Sequence, residues 1–162
     1  MSLLGLAVAG LGPVFASNDG LAKDTRAHQR AEAAHRKNMD ALARVLRGVD
    51  IQSLAGFGTD GVAKIPEFGR VTGADLDDLT YSGDEKLAWM ATPLDVDGVE
   101  KPGAVYLLRD GRRFLVADRV PADGFFVRQE GQNLVIHLTT YYATSAPRLV
   151  MKTSESAVSV RN

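Results

Sequence analysis

Cysteine is absent from the 162-residue chain. That excludes disulfide frameworks, thiolate metal sites and thiol nucleophiles, while leaving the redox compartment open. Histidine occurs three times, at His28, His35 and His137, and no partner set that would complete a zinc site accompanies them. Tryptophan is single, and Trp89 reads as a core residue. A full-length hydrophobic span is also missing. Met1 to Ala16 is uncharged and apolar over sixteen residues, whereas a free-standing transmembrane helix takes roughly 20. This run therefore needs neighbouring helices or a thinner membrane if it is to cross one.

Apolar residues make up 45% of the chain, enough for a core in one ordinary domain. The net charge of −1 hides an asymmetry. Ala22 to Arg47 carries seven Lys or Arg against three acids, a net of +4, and from Gly48 onward sixteen acids face twelve bases, a net of −4. A positive stem and a negative body attract each other between neighbouring copies, and less so as salt rises.

Three segments follow from composition. Residues 1–20 form an apolar segment with Gly5 and Ala9 in a small-xxx-small pair, which lets helix backbones approach closely in an apolar medium. Pro13 and the run Ser17, Asn18, Asp19, Gly20 predict a break between about Gly12 and Gly20. Residues 21–48 are rich in Ala, Arg, Lys, Glu, Gln and Leu and predict an amphipathic stem helix with Gly48 as its stop. Its larger apolar residues, Leu42, Val45 and Leu46, all fall in the second half. That half is expected to pack on a core and the first half to protrude. Residues 49–162 read as short strands, with hairpins at Asp110-Gly111 and at "QEGQN". The tyrosine pair Tyr141 and Tyr142 is expected to place one ring in and one out. The fold class is thus α+β, a long N-terminal helix packed on an antiparallel sheet.

Patterns that carry chemistry are few. Gly56, Gly58 and Gly61 in "GFGTDG" match a dinucleotide fingerprint by letter, but Pro66 in "VAKIPEF" forbids the helix that must follow, so a flexible loop is expected. Asp75, Asp77 and Asp78, and separately Asp95 and Asp97, offer clustered oxygens near a turn glycine, the kind of ligand calcium takes. Neither cluster has the EF-hand spacing, and solvated turns are the default. No Ser/His/Asp arrangement, nucleophile elbow or catalytic carboxylate pair can be read, so no enzyme activity is expected. The basic stem lacks interleaved aromatics, and no nucleic-acid partner is evident.

An apolar N-terminal segment, an amphipathic helix of about thirty residues and an antiparallel sheet together resemble the type IV pilin family, including the pseudopilins of type II secretion. "MSLLGLAVAG" is similar to the start of a mature prepilin-type protein. "AVSVRN" and the "DGV…PGAVYLL" run are similar to segments of minor pilins and of J-type or W-type pseudopilins. The resemblance implies a helical filament whose core and membrane anchor are formed by Met1, Leu3, Leu4, Gly5, Leu6, Val8, Ala9, Leu11, Gly12 and Pro13. It implies that Met1 is the mature N terminus, left by a prepilin peptidase and N-methylated. Its partners would be copies of itself or other pilins, and an inner-membrane assembly platform. It would reside in the inner membrane before assembly and in a periplasmic or extracellular filament afterwards.

Gly5 departs from the family, which usually places a Glu there to neutralise the N-terminal amine of a neighbour. Burying an unpaired ammonium is costly. The amine then finds another partner, stays methylated near water, or belongs to a tip subunit, where the family lacks this Glu. A competing reading makes residues 1–16 a signal peptide ending at "VFA", on a periplasmic or secreted β-rich binding module. A third is an appendage or virion component that plugs its apolar arm into neighbours.

Overall fold

A computed structural model describes residues 3–69, 71–75, 78–81, 85–92, 102–143 and 149–160, with side chains described for 21–69, 85–92, 103–142 and 149–160. One helix, α1, runs from Leu3 to Leu46, a length of 44 residues. It passes unbroken through Gly12–Gly20, correcting the expected interruption. Ending and restarting a helix would require a second nucleus, whereas Pro13, Ser17, Asn18, Asp19 and Gly20 are few among residues that propagate helix from both sides. At its other end the helix closes through Arg47 N–H donating to Ala43 O at 2.9 Å and a three-residue turn in which Val49 N–H donates to Leu46 O at 3.2 Å. A single 3-10 turn at Ile51–Ser53 follows, capped by buried Asp50, whose carboxylate accepts from Gln52 N–H at 2.8 Å.

The described strands are β1 (Val62–Ala63), β2 (Glu67–Phe68), β3 (Val71–Asp75), β4 (Asp78–Tyr81), β5 (Glu85–Ala91), β6 (Pro102–Arg109), β7 (Arg112–Pro121), β8 (Phe125–Glu130), β9 (Asn133–Ala143) and β10 (Leu149–Ser159). All pairings among them are antiparallel. They form two four-stranded sheets, β1-β8-β9-β10 and β2-β5-β6-β7, and a two-stranded ribbon, β3-β4. The sequence led to one sheet, and the division arises in β7. Two register shifts against β6 bend that strand, and Arg119 sits in the left-handed region at φ +54°. The chain then turns through Pro121–Gly124, where Gly124 N–H donates to Pro121 O, and enters the other sheet as β8.

Both predicted hairpins are present. Asp110 and Gly111 have φ +50° and +70°, as a type I′ turn requires, and Gly131 has φ +59° between β8 and β9. Leu149 to Ser159 form the single long strand β10, paired with β9 along its whole length.

One core joins helix and sheets. Leu42 and Leu46 of α1 meet Leu87 and Val105 of one sheet and Leu134, Ile136 and Leu138 of the other, all fully buried. Each such side chain contributes roughly 1.5–3 kcal/mol by leaving water. Trp89 ties β5 to the end of β7 across β6, within one sheet: its indole Nε1–H donates to Val120 O at 2.8 Å. Tyr141 and Tyr142 are both buried, against the expectation of one ring outside. β9 is covered on both faces at this end. Tyr142 lies with Ala31 and Val150 beneath the helix, and Tyr141 lies beside the Gly103 amide of β6.

Candidate functional site

The feature with most functional content is α1 itself and the seat that the sheets give it. Ala31, His35, Asn38, Met39, Leu42 and Leu46 are buried at helical spacing and define the seated stripe. From Leu21 to Arg30 every residue is exposed or half-exposed, Leu21 at 64%. The helix therefore leaves its seat at Ala31, where alanine spacing gives way to charge, as its composition predicts.

Polar side chains fix the upper part of the seat. His35 Nδ1 lies 2.7 Å from Thr140 Oγ1 of β9, and Nε2 lies 2.7 Å from Ser154 Oγ of β10. A neutral ring donates through one nitrogen and accepts through the other, and hydroxyls can answer either role. Asn38 Nδ2 donates to Asp118 O at 2.9 Å and to Asp118 Oδ1 at 3.0 Å, tying α1 to β7. Lys152 Nζ approaches Glu32 Oε2 at 3.0 Å, and Arg36 approaches Glu32 Oε1 at 3.2 Å. The Lys152 hydrogen bond, with that of Arg36, holds the Glu32 carboxyl below its ordinary range. The Arg119 guanidinium stands 5.2 Å above the Tyr142 ring, a cation–π contact that closes the seat beside Ala31.

Burial pushes the His35 pKa below its ordinary value of 6.5, the charges of Glu32 and Lys152 acting in opposite directions on it. The folded protein thus favours the neutral ring, and the unfolded chain takes up its proton first as pH falls below 6.5. The contribution of His35 is fully present above pH 6.5 and is lost on acidification through the lower folded value. Thermal melts between pH 7.5 and 5 are expected to show the wild type losing more stability than His35→Gln, which has no proton to take up. Parallel curves for the two proteins would contradict this.

Of the residues expected to form the anchor, Leu3, Leu4, Gly5, Leu6, Val8, Ala9, Leu11, Gly12 and Pro13 lie in α1, and Met1 lies outside the described residues. Asp75 ends β3 and faces Asp78 at the start of β4, while Asp77, Asp95 and Asp97 lie outside the described residues. Among the described residues, no group of three or more His, Asp or Glu is placed to hold a metal ion. The histidines go to three different surroundings. His28 is exposed on the stem, His35 is buried in the seat, and His137 stacks on Phe126 at 4.3 Å with Nδ1 3.3 Å from Glu155.

"GFGTDG" forms a loop, with Gly56 and Gly61 at φ +82° and +71°, and leads into strand β1 rather than into a helix. Sequence reasoning missed His35 and Asn38 as seat residues, although both fall on the stripe set by Ala31 and Leu42.

No helix among the described residues is long and apolar enough to cross a membrane. No protein-family model matches the chain, and no curated protein or solved structure matches it either.

Proposed function

We propose that the chain is a structural subunit of a type IV pilus-like or pseudopilus filament, polymerised through the N-terminal part of α1. The observation that carries this reading is the division of the helix at Ala31. Its C-terminal part is consumed by the body, and Leu3 to Arg30 continues as helix for about 42 Å at 1.5 Å per residue. A helix of that length with an apolar start suits lateral packing with other helices. Gly5 and Ala9 supply the small surface for close approach, and the basic stem of one copy faces the acidic body of another. The apolar run is short for a bilayer, so its residence in the inner membrane before assembly depends on neighbouring helices or a thinner membrane. Filament assembly then replaces lipid with other copies.

Gly5→Leu and Ala9→Leu are expected to cut filament yield by about tenfold or more, the equivalent of ~1.4 kcal/mol per subunit contact. The circular dichroism of the body should stay unchanged. Electron microscopy of sheared or extruded filaments reads the yield. Undiminished filaments, or a native chain whose first residue by intact mass is Ser17, would refute the assignment in favour of a cleaved signal peptide on a secreted binding module.

A further inference from the structure

At its outer end the β6–β7 hairpin runs past the cover that α1 provides. Leu107 pairs with Phe114 and Arg109 with Arg112, so these four side chains share one face of the ribbon. Two residues further in, the same face of β6 carries Val105, which is fully buried in the core. This core-facing surface therefore remains accessible at its outer end, with Phe114 47% exposed. Between this face and the Ala41 and Val45 flank of α1 lies a groove of about 780 Å³, within the range of built binding sites.

Its charge selects the occupant. The groove is lined by Arg109, Asp110 and Arg112; Arg109 is bridged by Glu85 at 3.4 Å and by Asp110 at 3.5 Å, which leaves Arg112 as the lining charge with no ion pair among the described residues. Arg113 on the opposite face also has none among them. The stem of another copy, with its net charge of +4 from Ala22 to Arg47, has the wrong sign. The uncharged run Met1–Ala16 would cover Arg112 without answering it. The surface is a sheet face beside a helix, and a second helix lying alongside the first completes such a layer.

We propose that this groove docks an acidic amphipathic helix of a partner protein, its apolar stripe on Phe114, Leu107 and Val45 and its carboxylates facing Arg112. The site is independent of how the N-terminal helix is anchored. It gives the body a recognition surface for an acidic partner in addition to any contact between like copies.

The test uses the full chain and a synthetic amphipathic peptide of about 14 residues, with leucine at i, i+3, i+4 and i+7 and glutamate on the flanks. A lysine-flanked counterpart serves as control. Fluorescence anisotropy is expected to show saturable binding of the glutamate peptide. Arg112→Glu and Phe114→Ala should each weaken it about tenfold or more, rising salt should weaken it further, and the lysine peptide should not bind. Both substituted residues are exposed, so unchanged melting temperatures keep the comparison free of unfolding. Absence of saturable binding, or equal binding of the lysine peptide, overturns the proposal. So does Arg112-dependent binding to phosphatidylglycerol vesicles without peptide binding, which would make the patch a lipid-facing surface. Self-association abolished by Arg112→Glu would assign the groove to a second copy and likewise overturn it.

Discussion

Gly103→Ala is expected to destabilise the body by about 3 kcal/mol, combining overpacking with loss of a partly buried hydrogen bond. For a chain of this size that lowers the melting temperature by roughly 6–12 °C. A Cβ at Gly103 would overlap Cε2, Cζ2 and Nε1 of the Trp89 indole. The ring cannot retreat cheaply, because Nε1–H is committed to Val120 O at 2.8 Å and the indole packs against the core. Moving it would break the link between β5 and the end of β7, where the chain passes from one sheet to the other. Trp89→Phe removes the indole nitrogen and its hydrogen bond. The double variant Gly103→Ala/Trp89→Phe should therefore lose less stability than the sum of the single changes. Strictly additive losses in a denaturant-based double-mutant cycle would show that the two residues do not interact as described.

This contact also shows what a sequence carries and what it does not. "PGAVYLLRDGRRFLVADRV" announces a hairpin, because Asp-Gly between two apolar runs requires the turn found at Asp110 and Gly111. It does not announce that Gly103 stands under Trp89, since that contact depends on the register of β5 against β6, which pairs Ala91 with Gly103 and Trp89 with Val105. The same holds for the sheets. The alternation in β7 is readable, but the left-handed Arg119 that helps split one sheet into two is a tertiary outcome, imposed on a residue type that rarely adopts it. On the helix, apolar spacing located the seat at Leu42 and Leu46. His35 and Asn38 escaped because their burial is made possible by Thr140, Ser154 and Asp118, polar groups about 80 to 119 residues away along the chain. The groove beside Val45 was equally hidden, since only folding shows that Phe114 and Arg112 share a face that α1 leaves open.

Leu46→Ala is expected to destabilise the fold by about 3 kcal/mol, since a fully buried leucine is replaced by a cavity among residues of both sheets. In the same helix Leu21→Ala should change stability by less than about 0.5 kcal/mol, because Leu21 is 64% exposed. The contrast matters more than either value. A helix that served the body along its whole length would show graded losses toward its N terminus. One that serves the body only from Ala31 onward leaves Leu21 to Arg30 unused by folding and open to contacts with other molecules. Urea melts of Leu21→Ala, Ala27→Gly, Ala31→Gly and Leu46→Ala locate the boundary directly. The Ala27→Gly change should cost only the helix-propensity difference of about 1 kcal/mol or less. Ala31→Gly should cost that amount and also the packing of Ala31 on Tyr142 and Val150. A loss at Leu21 comparable to that at Leu46 would mean that the upper stem is packed against the body. The portion of α1 proposed to enter the filament would then already be occupied.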